Sequence, residues 1–418
     1  MLAAAAISRQ HGIGAAGGTE KQTEGDMPGL RLARLTAAAV LLIGLGSGAG
    51  RAQLMIVGND EKISIADGKA TQKEGGHDTL SVIDMSKPAS LKIVATIPLD
   101  NSIVGPPTNL AVTPNRQLAL VANSVNNAPK DGGFAPVSDD RLLVVDLTAS
   151  PPKLVDTLHV GKKPSGLAIN AEGTMALVTN RDDGTISVLS IKGKEVKVTD
   201  TLSIGAGTDS LSAVAITPDG KRALAAKSAA NKIALLSIDG GKVSYDKRDL
   251  PANNYPYNVE ITPNGKLAVV ANTGGGGTSD GNADTVSIID LEANPVRVID
   301  HVTVGDSPEG LVISPKGNLA VTIEAQGSNQ PKDTWFYHPG GAVSILKIDG
   351  KRVTKTGEVA VGKLPEGAVF SADGSYLYVG NFIDSDLSVL RVNGDKLTDT
   401  GQPFKLPGHP ASMRGGPQ

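Results

Sequence analysis

Residues 256–272 read PYNVEITPNGKLAVVAN, and the same phrase recurs along the chain. It opens on a proline, runs as a strand of alternating polarity, turns tightly, and returns as a second strand ending in asparagine. Earlier copies are PTNLAVTPNRQLALVAN from Pro107, PSGLAINAEGTMALVTN from Pro164 and LSAVAITPDGKRALAAK from Leu211. Later copies are PEGLVISPKGNLAVTIE from Pro308 and PEGAVFSADGSYLYVGN from Pro365, with successive starts 45 to 57 residues apart. Self-similarity at such a period is the mark of a repeat architecture, in which one unit cannot bury its own apolar faces and must stack on the next.

Two further strands follow each phrase, as TISVLS (185–190) with VKVTDTLSI (196–204), or TVSIID (285–290) with VRVIDHVTV (296–304). Four short strands per repeat, with hairpin turns at Asp219-Gly220, Asn264-Gly265 and Asp373-Gly374, predict a propeller blade. The ends of the chain complete the count. LMIVGN (54–59), TLSVID (79–84) and KIVATIPL (92–99) are second, third and fourth strands without a first, and GHPASMRG (408–415) is a first strand without followers. Six whole blades and one composite blade predict an all-β, seven-bladed β-propeller over residues 53–418. The shared blade closes the ring and removes free sheet edges.

The repeats resemble the YVTN family of β-propellers, whose namesake tetrapeptide is approached by LVTN (177–180), VVAN (269–272) and YVGN (378–381). The SVID-like third strand and the return at Val304-Gly305 and Val361-Gly362 are similar too. The resemblance covers essentially the whole propeller. It implies the fold and leaves function open, because such rings are reused for unrelated tasks.

The chain has no cysteine, which excludes disulfides, thiolate metal sites, c-type haem attachment, a lipoprotein anchor and a cysteine nucleophile. A net charge of −3 without any basic run gives no nucleic-acid footprint. From Met27 the sequence places Arg31 and Arg34 ahead of an apolar run, then Gly50-Arg51-Ala52 as a candidate cleavage tripeptide before Gln53. This pattern is that of a secretory signal over about 27–52, too short in its apolar part for a membrane span. Residues 1–26 read as an extension arising from an upstream start codon. The expectation is a periplasmic or secreted mature protein with no membrane span.

The long insertions, 60–78, 126–139, 274–284 and 326–340, all join second to third strands and therefore crown one mouth of the ring, the candidate binding face. Aligned blades expose deviant residues. The column closing the second strand reads Asn59, Asn123, Asn180, Lys227, Asn272, Glu324, Asn381, where Asn is expected to tie down the adjoining loop. Lys227 and Glu324 break it. After the anchoring residue come Thr108, Ser165, Ser212, Tyr257, Glu309, Glu366 and Ala411. Three places further on, Glu260 and Arg414 interrupt a column of small apolar residues. A buried charge needs a partner, a metal or water, so Glu260, Glu309, Glu366 and Arg414 are candidate ligand-binding residues, grouped as one charged set. Trp335, Tyr337 and His338, in an aromatic loop of an aromatic-poor chain, join Tyr257 as candidates for gripping a partner.

No catalytic motif stands out. Gly277-Thr278-Ser279-Asp280-Gly281 matches GxSxG but lies between β-strands, whereas a nucleophile elbow needs a strand-to-helix turn. Asn180-Arg181-Asp182-Asp183 and Asp384-Ser385-Asp386 offer oxygen ligands for calcium, yet both are turn sequences in which Asp is expected anyway. The histidines have no paired metal spacing, so no metal or cofactor is indicated. The leading expectation is a non-catalytic binding or scaffold protein for a small polar molecule or a periplasmic protein. The alternative is a lactone-opening hydrolase, implied by lactonases of related propeller type. Those commonly carry His after the anchoring Pro, where this chain has Thr108, Ser165, Tyr257 and Glu309. A quinoprotein dehydrogenase is disfavoured by the single tryptophan and the lack of cysteine.

Overall fold

Each recurring phrase folds as an antiparallel pair, Pro256–Ile261 against Leu267–Asn272 in the copy quoted first. The computed structural model describes residues 53–275 and 278–416; the segment expected to be a secretory signal and the extension before it lie outside them. The turn of this pair is built by Thr262, whose hydroxyl donates to Asn264 Oδ1 (2.7 Å) and accepts from Leu267 N–H (3.0 Å). Only Gly265 takes a positive φ, +70°, so this is a tight turn with a left-handed glycine and not the doubly left-handed Asn-Gly hairpin expected from sequence.

Every unit completes a four-stranded sheet. The composite sheet orders Pro410–Gly415, Leu54–Asn59, Thr79–Asp84 and Lys92–Pro98, joining the two ends of the chain. Six further blades begin at residues 110, 164, 211, 256, 308 and 365. The seven inner strands each pack on the next, and the last meets the first, so the ring is closed.

The core is not one mass but a set of wedges between blades. Leu267–Asn272 is buried along its whole length because its two faces serve different neighbours. Ala268 and Val270 pack toward the preceding blade with Leu224 and Ala226, while Leu267, Val269 and Ala271 pack toward the following one with Leu311 and Ala320. A strand buried on both faces reads as a continuous apolar run.

The asparagine column ties second strand to third. Asn180 Nδ2 donates to the hydroxyls of Thr185 and Ser187 (both 2.9 Å), and Asn59 does the same to Thr79 and Ser81 (3.0 and 3.1 Å). The bonds thus run to side chains of the next strand instead of to loop backbone, and they explain the serine of the SVID-like motif. A Cβ on Gly161 or Gly362 would come within 2.5 Å of Asn180 or Asn381 Cγ, which accounts for glycine in the VGxxP return.

Two insertions contain hairpins of their own, Ile63–Ala66 with Lys69–Gln72 and Val125–Lys130 with Gly133–Ser138. The insertions interlock. Asn127 Nδ2 donates to the carbonyls of Lys62 and Lys73 (2.8 Å each), Lys332 N–H to Asp67 (3.1 Å), and Gly327 N–H to Ser279 Oγ (2.9 Å). Ile63 and Ile65 pack with Leu364, Phe382 and Ala411 over one side of the mouth. The blades beginning at 164 and 211 carry only tight turns there, so the crown is uneven.

Candidate functional site

Arg181 stands at the uncrowned side, directly after Asn180 in the second strand of its blade. Its Nε donates to Ser210 Oγ (2.7 Å) and its Nη2 to the Tyr255 hydroxyl (3.0 Å). The guanidinium carbon lies 5.7 Å from the centre of the Tyr257 ring, and Tyr255 and Tyr257 stack with centroids 6.2 Å apart. A planar cation held by two bonds and an aromatic face is fixed in orientation.

The inner-strand column brings Tyr257 and Glu309 to this cation, and sets Glu366 against Tyr257 and Glu309. Tyr257 is buried, and its hydroxyl is pushed up by burial, with Arg181 pulling down and Glu309 and Glu366 adding to the rise. Glu309 is half-buried and is raised to about 7 by desolvation, which the nearby Arg181 only partly offsets. Glu366 is 1% exposed, and its Oε2 has no hydrogen-bond partner among the described residues. Burial and the Glu309 charge raise its carboxyl well above the usual range. Both carboxyls are thus held above their ordinary range, and Glu366 is the more enclosed of the two.

The remaining candidates are placed elsewhere. Glu260 and Arg414 pair across the ring, Nη1 to Oε1 at 2.5 Å, and both line a cavity of about 210 Å3 with Ala111, Ala168 and Ala215. The four charges grouped from sequence are thus two pairs, because the inner strand carries its second residue near the crowned mouth and its fifth near the opposite one. Lys227 lies inside its own blade, 3.1 Å from both Asp209 and Asp249. Glu324 is fully buried, accepts from Thr322 Oγ1 (2.7 Å) and Gln326 Nε2 (3.2 Å), and is raised by that burial. Both charges fill the asparagine position with partners of their own.

Trp335 is 79% exposed and meets Phe336 edge-on at 5.2 Å, beside a cavity of about 350 Å3 that His338 also lines. Tyr337 faces a different cavity, with Ile65 and Lys363. His338 Nδ1 lies 3.0 Å from the Gln326 carbonyl. No group of three or more acidic or histidine side chains suited to a metal occurs among the described residues.

In sequence Arg181 reads as part of the turn Asn180-Arg181-Asp182-Asp183. The position after the second strand reads Asp60, Ser124, Arg181, Ser228, Thr273, Ala325 and Phe382, and a lone cation in that column is the signal that finds it.

A family model described as lactonase, 7-bladed beta-propeller matches residues 194–278. The chain is similar to a putative 6-phosphogluconolactonase of Bacteroides uniformis ATCC 8492, with TM-score 0.65 and 16% identity over 87% of this chain and 99% of that one. A putative 6-phosphogluconolactonase of Bacteroides fragilis NCTC 9343 gives 0.65 and 18% over 88% and 99%. The periplasmic gluconolactonase of Pseudomonas aeruginosa gives 0.63 and 16% over 87% and 99%. In fold the chain is a seven-bladed β-propeller, as these structures are. No curated protein matches it. Within the ring, the Arg181 cluster occupies the mouth that the insertions crown.

Proposed function

We propose that the chain hydrolyses a lactone at the Arg181, Tyr257, Glu309 and Glu366 cluster. The observation that carries this reading is a pair of raised carboxyls of unequal enclosure, Glu366 almost wholly buried and Glu309 half-buried, with Glu309 beside one oriented guanidinium. Such a split assigns acid and base. Glu309, ionised near neutrality, takes a proton from water as its oxygen bonds to the lactone carbonyl carbon. Arg181 stabilises the oxyanion that forms. The bond from that carbon to the ring oxygen then breaks, and the ring oxygen takes the proton held by Glu366. The product is an open-chain hydroxy acid, and proton return from Glu309 to Glu366 resets the pair. The partial family match and the lactonase-type neighbours favour this reading over a purely binding role.

The test is proton release from glucono-1,5-lactone, corrected for spontaneous opening. Glu309→Gln is expected to lower kcat by roughly a hundredfold or more, with no loss of melting temperature. A wild-type rate no faster than buffer sinks the proposal.

A second reading, a binding protein that uses the crown, is favoured by the exposure of Trp335. As the sole tryptophan it reports on its own occupancy, so a fluorescence change with a periplasmic fraction and none with lactones would support that reading. Export to the periplasm through residues 27–52 belongs to either proposal.

A further inference from the structure

We propose that the Glu260–Arg414 end of the channel is a second ligand site, which takes a small amino acid with an apolar side chain as its zwitterion. The site shares no residue with the Arg181 cluster, so its occupancy does not depend on the lactonase reading.

The inner strands follow one another around the ring in the order of the blades, and the strand Pro410–Gly415 lies between those beginning at 365 and 110. One equivalent residue from each forms a circle: Arg414, Ala111, Ala168, Ala215, Glu260, Val312 and Val369. Three alanines therefore run from Arg414 to Glu260 on one side, and two valines fill the other. The bond between the charges is a chord that cuts off the alanine arc. The cavity of about 210 Å3 lies in that arc, with Ile169 and Ile216 beside the alanines, and neither valine lines it. Such a volume holds several waters, at about 30 Å3 each, or one compact ligand with an apolar body.

The chord supplies the polar half of the site. Arg414 Nη1 to Glu260 Oε1 is the one hydrogen bond that either side chain makes among the described residues. A guanidinium has five N–H donors and a carboxylate accepts at both oxygens, so an edge of Arg414 and Oε2 of Glu260 are left to bind a ligand. Both side chains line the cavity and are partly exposed, which lets a ligand reach them. An α-amino acid matches what is left: its carboxylate accepts from the guanidinium, its ammonium donates to Oε2, and its side chain enters the alanine arc. A carboxylate without the ammonium would set a like charge against Glu260, and an amine without the carboxylate would set one against Arg414. Packing does not call for the two charges, since the other five blades carry Ala or Val here and an apolar replacement for an enclosed ion pair is often no less stable.

The experiment titrates the full chain calorimetrically with L-valine, with isovalerate, which lacks its ammonium, and with isobutylamine, which lacks its carboxylate. L-Valine is expected to saturate with a Kd of about 1 mM or below. Each half-ligand gives up a charged hydrogen bond and should bind at least about tenfold more weakly. Ala168→Val installs the residue that the blades beginning at 308 and 365 carry at this place, and Ala215→Val does the same one blade on. Either should keep the fold and weaken L-valine at least about tenfold by filling the arc. Glu260→Gln should weaken L-valine and leave isovalerate no weaker than before. Equal binding of L-valine and isovalerate, L-valine binding that neither alanine variant alters, or no saturable heat from any of the three overturns the proposal.

Discussion

Arg414 and Glu260 are 154 residues apart in the chain, yet they meet across the channel at 2.5 Å. Their blades are not neighbours, so the bond spans the ring instead of stitching one interface. Both side chains are about a fifth exposed, 23% and 19%. Removing one partner leaves a half-buried charge, and Arg414→Met or Glu260→Gln alone is expected to cost about 1–2 kcal/mol. A double-mutant cycle in urea should return a coupling of about 1 kcal/mol. Additive effects would mean that the contact contributes nothing to the ring.

Closure through the composite blade makes the last residues structural. Met413 and Ala411 are 1% exposed, and the strand they belong to covers Met55–Asn59. Deleting residues 409–418 is expected to lower the melting temperature by more than about 10 °C or to prevent folding, because each blade lends its neighbours their buried surface. Met413→Ala, a milder change, should cost about 2–4 kcal/mol. A truncated chain that melts within a degree or two of the full one would refute closure as a source of stability.

Arg181 sets the working pH of the carboxyl pair. Its charge holds Glu309 below the value that burial alone would give. Arg181→Met should therefore lower kcat by about a hundredfold and also move the acidic limb of the rate profile to higher pH. A lowered rate with an unmoved limb would mean that Arg181 acts on the substrate alone.

Stability should depend on pH through the same groups. Glu309 is raised to about 7, Asp284 to about 7 and Asp60 to about 6, each chiefly by desolvation. Unfolded carboxyls titrate near 4, so through roughly pH 4.5–7 the folded state holds protons that the unfolded state has lost. Stability conferred by these groups is complete below that window and falls as pH rises through it. Asp284→Asn or Glu309→Gln is expected to raise the melting temperature at pH 8 and to flatten its slope. A melting temperature that climbs from pH 5 to 8 would contradict this.

The ring was legible because its determinants are local and repeated. The turn threonine or serine and the terminal asparagine each make bonds within one blade, so their spacing survives in sequence. The site was legible only in part. Glu309, Glu366 and Tyr257 stood out because neighbouring blades carry small or hydroxyl residues at that position. Arg181 did not, because Asp182 and Asp183 beside it read as a turn, and the turn is indeed present. Grouping Glu260 and Arg414 with the mouth acids failed for a geometric reason. Three residues of extended strand separate the two columns by about 10 Å, which places them toward opposite ends of the channel. Lys227 and Glu324 drew notice as broken asparagines, but their partners Asp249 and Thr322 carry no signature outside their own blade.

The composite blade also sets a schedule. Its second, third and fourth strands are made first and its inner strand last, so throughout synthesis the first sheet waits with Leu54–Asn59 uncovered on one side. Blades two to seven can pair internally as they emerge, but the circle is sealed only once Pro410–Gly415 has been made and reaches Leu54–Asn59. Until then the six later blades form an open arc whose first sheet still lacks its inner strand.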